Sequence, residues 1–164
     1  MGRKGPFARI LMSEETNSRP CYNARYDNIV DEKRRIQIPS KWRAGQTEME
    51  FMLILWPNGA QKDACLMVLP PSVAQKLKEK VTALPFGDPQ AEALRRFLGR
   101  KSDTAVSDKS GRITLPEPMT KAVGIDKEAV LIGMFDRFQI WNPTKYAEVT
   151  AAEDALATEA FKLI

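Results

Sequence analysis

Laid upon itself with an offset of 77, the chain aligns Asp31-Glu32-Lys33-Arg34-Arg35-Ile36-Gln37-Ile38-Pro39 with Asp108-Lys109-Ser110-Gly111-Arg112-Ile113-Thr114-Leu115-Pro116, so that Asp, Arg, Ile and Pro recur in register. Further on, Cys65 to Pro70 aligns with Phe138 to Pro143 at an offset of 73, which leaves four extra residues in the first copy. A repeat of this kind constrains the fold more than composition does. A few short strands cannot cover both faces of a sheet, so each copy leaves apolar surface that its sister must bury. The two copies are therefore expected to pair as one pseudo-symmetric, β-rich (α+β) unit.

Each copy reads in the same order. A strand (Tyr22 to Val30; Lys101 to Ser107) leads into a charged turn, and a period-2 strand then places Ile36 and Ile38, or Ile113 and Leu115, on one face. A proline opens a short helix. Two strands follow, Phe51 to Trp56 with Cys65 to Leu69, and Ala129 to Phe135 with Phe138 to Trp141. The extra residues of the first copy are expected in a loop over 57–64, against a tight turn near Asp136-Arg137 in the second. Closing helices follow, the first with a Ser72–Gln75 capping box and the second with Asn142 as N-cap and Pro143 at N1. Between the copies, Asp88 as N-cap, Pro89 at N1 and Gly99 at C′ punctuate a linking helix. The divisions expected are a flexible basic extension over 1–21, repeats over 22–84 and 100–150, the linking helix over 85–99 and a helical tail over 151–164.

The repeated Asp-x-x-x-Arg sits at a strand-turn-strand corner. There Asp31 or Asp108 can accept from backbone amides two residues on and hold the turn, while Gly111 suits a left-handed residue. Arg34 takes that place in the first copy, at a cost of roughly 1 kcal/mol if the backbone is the same. Arg35 and Arg112 leave their turns in a fixed direction, able to make bidentate contacts to guanine edges or phosphates, with Lys33, Arg34 and Lys109 adding phosphate contacts. An Asp–Arg ion pair that fastens a hairpin is the plain alternative. Two copies in register, each in a basic segment, favour nucleic acid.

The charge distribution agrees. The formal net charge is only +4, with a pI of about 9.1, but the basic residues gather in two places. Lys33, Arg34, Arg35, Lys41 and Arg43 crowd the first motif; Arg95, Arg96, Arg100, Lys101, Lys109 and Arg112 surround the second. With no histidine, the chain lacks the commonest general base and transition-metal ligand. No catalytic residue, metal site or cofactor is expected, and no continuous apolar run suggests a membrane span. Cys21 and Cys65 are too few and too far apart to staple a fold, which points to a reducing compartment. Trp42, Trp56, Trp141, Phe51, Phe97, Phe135 and Phe138 fall at core positions of the pattern.

Val30 to Arg43, Phe97-Leu98-Gly99, Asp108 to Pro116 and Val130 to Trp141 together resemble the MraZ family, whose members carry two AbrB-like (SpoVT-AbrB) repeats, each with a DxxxR signature. The resemblance spans roughly Tyr22 to Thr150. It implies an intrachain swapped-hairpin β-barrel with peripheral helices and a ring-shaped homo-oligomer. It also implies a cytoplasmic, nucleoid-associated transcriptional regulator that binds repeated double-stranded DNA boxes of the division and cell-wall gene cluster. Carried over by position, the DNA-contacting arginines are Arg35 and Arg112, with Lys33 and Lys109 nearby. Arg34 departs from the family, which ordinarily has glycine there. An AbrB-type antitoxin with a protein partner and a structural oligomer are the competing classes.

Overall fold

The computed structural model describes residues 20–164; the basic extension expected over 1–21 lies outside them except for Pro20 and Cys21. The strands are β1 (Arg25–Ile29), β2 (Arg35–Gln37), β3 (Glu50–Asn58), β4 (Gln61–Leu69), β5 (Ser102–Val106), β6 (Arg112–Thr114), β7 (Glu128–Gly133) and β8 (Phe138–Trp141). The helices are α1 (Ser40–Arg43), α2 (Pro71–Thr82), α3 (Pro89–Lys101), α4 (Glu117–Val123) and α5 (Pro143–Ala160).

Six strands form one antiparallel sheet in the order β1-β7-β8-β4-β3-β5, and β2 and β6 form a separate two-stranded ribbon. The halves are interleaved: β1 pairs with β7, β3 with β5 and β2 with β6, each pair crossing from one half of the sequence to the other. Alternation along the central strands sends side chains to two cores. Leu53, Leu66, Val68, Leu131, Phe138 and Ile140 point to one face, where Ile36 and Ile113 of the ribbon, Ile38 and Leu115 just beyond it, and Trp42, Met119 and Val123 of the short helices cover them. Ile54, Met67 and Leu69 point to the other, against Ala74, Val73, Leu77 and Leu98 of α2 and α3. Cys65 and Trp141 meet Tyr146 and Val149 of α5 beside them.

That arrangement corrects the expected closed barrel. The sheet is open, because β1 bonds only to β7 and β5 only to β3, and the corner strands that could have joined them bond to each other instead. The ribbon and α1 and α4 cover the sheet face that barrel closure would otherwise have buried. The chain is accordingly mixed α+β.

Local signals fared unevenly. Asp88 accepts from the amides of Gln90 (2.9 Å) and Ala91 (3.0 Å), and Asn142 from those of Thr144 (2.9 Å) and Lys145 (3.1 Å), so both N-caps form as expected. The Ser72–Gln75 box does not: Ser72 lies inside α2, whose N-cap Pro70 has no side-chain bond. Gly99 lies inside α3, which runs on to Lys101, since the next strand takes up the chain directly. The extra residues of the first copy lengthen the β3–β4 hairpin, leaving only Gly59-Ala60 as its turn, because paired backbone satisfies polar groups that a loop would leave to water. Phe135 is no core residue; it is 74% exposed with φ 69°, and only its backbone bridges to Tyr22.

Candidate nucleic-acid interface

Both corners are built alike. In the first, Asp31 Oδ1 accepts from the amides of Lys33 (2.9 Å) and Arg35 (2.8 Å), and Oδ2 accepts from Arg35 Nε (2.7 Å). In the second, Asp108 Oδ1 accepts from Ser110 (2.9 Å) and Arg112 (2.9 Å), and Oδ2 from Arg112 Nε (3.0 Å). The backbone closes each turn in the same way, from the amides of Asp31 and Asp108 to the carbonyls of Arg35 and Arg112. One carboxylate thus holds a turn and a guanidinium at once. The backbone amides of Arg35 and Arg112 chiefly hold Asp31 and Asp108 below the ordinary aspartate range; desolvation pushes the other way, and the guanidinium hydrogen bonds add to the lowering.

The ion pair of the plain alternative is therefore present in both copies, but it engages only Nε of each arginine. Among the described residues, no acceptor bonds the Nη atoms of Arg35 or Arg112. Ribbon register decides where these groups face. Arg35 stands opposite Thr114, Ile36 opposite Ile113 and Gln37 opposite Arg112. Ile36 and Ile113 are fully buried, so alternation puts Arg35, Gln37, Arg112 and Thr114 together on the outer face. The two arginine side chains are 29% and 36% exposed, enough to be reached by a ligand without leaving their aspartates.

Arg34 has φ 58° and Gly111 φ 80°, so both corners use one left-handed backbone, and the arginine takes it at a cost of about 1 kcal/mol. Its Nε donates to Leu115 O at 3.1 Å across the halves, which offsets part of that cost. Lys33 and Lys109 are both exposed but are not equivalent. Lys33 aligns with Ser110, and Lys109 with Glu32. Gln37, which sequence reasoning missed, shares the outer face and donates to Ser110 O at 2.6 Å; its place in the period-2 strand between Ile36 and Ile38 was the available signal. Arg95, Arg96, Arg100 and Lys101 lie on the linking helix α3, where Arg95 and Arg96 pair with Glu92 and Lys101 with Asp63.

The fold and this site define a class: an interleaved α+β chain that presents two aspartate-braced arginine corners on one short ribbon. Comparison with known proteins gives the family. Residues 102–162 match the family described as "MraZ protein, putative antitoxin-like". The chain is 35% identical to the transcriptional regulator MraZ of Desulfitobacterium hafniense (strain Y51) over 140 residues, covering 85% of this chain and 94% of that protein. It is 32% identical to that of Leuconostoc mesenteroides over 126 residues (77% and 84%) and 35% identical to that of Herpetosiphon aurantiacus over 135 residues (82% and 88%). The chain belongs to the MraZ family.

Proposed function

We propose that this chain is a transcriptional regulator that binds double-stranded DNA sequence-specifically through its two DxxxR corners. In this reading Arg35 and Arg112 read bases, and Lys33, Arg34 and Lys109 contact phosphates. The observation that carries it is the shared outer face of the ribbon, where Arg35, Gln37, Arg112 and Thr114 stand together. A two-stranded ribbon fits the major groove of B-DNA, about 12 Å wide, and each good bidentate arginine–guanine pair discriminates by about 1–3 kcal/mol. Fixing Nε on an aspartate aims the free Nη pair before DNA arrives, which lowers the ordering entropy of binding.

The crossed pairings of β1, β2 and β3 with strands of the other half support the reading of 22–84 and 100–150 as two AbrB-like repeats with swapped hairpins. Family membership supports the rest: a ring of several copies, nucleoid association, and repeated promoter boxes of the division and cell-wall cluster as the target. In such a ring each corner binds weakly, and later contacts are intramolecular, so avidity sets affinity.

Selection of bound fragments from random and genomic duplex DNA tests the proposal. The unaltered chain is expected to enrich a repeated box, and Arg35→Ala with Arg112→Ala to lose it while keeping the thermal melt. A double variant that still enriches the same box sinks the reading. The antitoxin-like family description favours one second reading, a protein partner; co-purification of a single stoichiometric protein, with no duplex enriched, would support that instead.

A further inference from the structure

Gly111 is the smaller twin of Arg34, and its place is not empty. A Cβ on Gly111 would collide with the Arg43 side chain, closest to Cδ and lying 2.6 Å from Nε and 2.7 Å from Nη1. Arg43 ends α1 in the first half of the sequence, whereas Gly111 belongs to the second corner. The position equivalent to Arg43 in the second half is Thr120, a small buried residue that sends no cation toward the first corner. Each corner therefore has one guanidinium at its left-handed residue. In the first it is Arg34's own; in the second it is supplied by Arg43 from the other half.

The two groups differ in their partners. Arg34 Nε has Leu115 O. Arg43 Nε is buried and has no hydrogen-bond partner, although a buried donor is ordinarily satisfied. Ile38 O, the carbonyl equivalent to Leu115 O, is approached by Gln37 Nε2 at 3.4 Å instead. Arg43 forms no salt bridge with a described carboxylate either, yet it is only half-buried, beside Gly111 and so one residue from Arg112. A positive charge held beside Arg112 without a described anion, its Nε enclosed but its Nη atoms not among the buried ones, fits a site that an incoming phosphate completes through Nη.

We propose that Arg43 is the phosphate-contacting cation of the second corner, occupying over Gly111 the station that Arg34 holds in the first. The proposal rests on the DNA-binding reading above and adds a residue to it. It gives each corner three cationic side chains: Lys33, Arg34 and Arg35 on one side, Lys109, Arg43 and Arg112 on the other.

The test is the salt dependence of binding to duplex DNA carrying the boxes that the unaltered chain selects, measured for Arg43→Met, Arg43→Gln and Arg43→Lys beside Arg34→Met. Loss of one phosphate contact should flatten the slope of log K against log salt by about 0.9 per engaged subunit and weaken low-salt binding roughly tenfold, uniformly across sequences. Arg43→Lys should keep the slope. A residue that merely packs on Gly111 would lower the melt and leave the slope alone, and that result for Arg43→Met, or for Arg43→Gln if the first does not fold, overturns the proposal. Arg35→Ala with Arg112→Ala separates the two levels. If that variant loses the box while the Arg43 variants keep the slope, only the Arg43 assignment falls; if the unaltered chain selects no duplex, both fall.

Discussion

Ile36 stands directly opposite Ile113 at the centre of the β2–β6 ribbon, and neither has any accessible surface. This pair sits at the centre of the ribbon's contact between the halves and sets which way their arginines face, since a side chain next to a buried one on a strand points outward. Ile113→Ala should cost about 2–5 kcal/mol, as truncation of a fully buried isoleucine does. Adding Ile36→Ala should cost less than a second independent loss, because contacting residues share one interaction. Chemical denaturation of the single and double variants measures both. Equal, additive losses would mean that the pair does not act as one joint.

The aspartates of the corners give a pH dependence with a definite sign. Their folded-state pKa values lie below the ordinary one, so their contribution to stability is fully present above about pH 4 and fades as pH falls through the lowered folded values. Carboxyl titration by NMR should find Asp31 and Asp108 still ionised below the ordinary aspartate range. Asp108→Asn should keep one amide acceptor but set an NH2 group against Arg112 Nε, weakening DNA binding more than it lowers the melt.

Two glycines should respond oppositely to alanine. A Cβ on Gly133 would run into the Tyr22 carbonyl, with its carbon 2.5 Å away and Asn23 Cα 2.6 Å away, at the point where Phe135 and Tyr22 exchange backbone bonds of 2.7 and 2.8 Å. Backbone must move, so Gly133→Ala is expected to destabilise by about 1–3 kcal/mol. Gly99 is within α3 and has open space around it. Gly99→Ala should stabilise by about 0.5–1 kcal/mol through helix propensity alone. Thermal melts of the two variants should move in opposite directions.

The cysteines differ in reach. Cys21 is exposed and Cys65 is buried, and burial pushes the Cys65 thiol up to about 12. At mildly alkaline pH an aromatic disulfide reagent should therefore titrate one thiol quickly in the native chain and two in denaturant. Two fast native thiols would show that the sheet face beneath α5 is open.

Trp42 shows where sequence reading works and where it stops. Its place in the short helix opened by a proline marked it as core, and it is fully buried. Its partners were not legible. They are Tyr26 and Tyr22 at 5.2 and 5.6 Å, Phe138 at 4.9 Å from the other half, and the Asn23 carbonyl, which accepts from Nε1 at 2.9 Å. The same holds at the corners. Aspartate spacing, the period-2 isoleucines and the arginine positions are local, and they recur because a turn of that shape needs them.

The sequence by itself determined the repeat, the turn chemistry of each DxxxR motif, the two asparagine and aspartate helix caps and the residues that alternation must bury. Those properties depend on neighbours within a few residues, where backbone geometry leaves few choices. Only the tertiary structure decided that the sheet stays open, that Ser72 and Gly99 cap nothing, that Phe135 faces solvent and that Arg43 lies over Gly111. Each of these depends on which distant segment covers a given surface, and Arg43 reaches its glycine across 68 positions of chain. Close packing of whole elements fixes such contacts, and no local pattern in the sequence carries them.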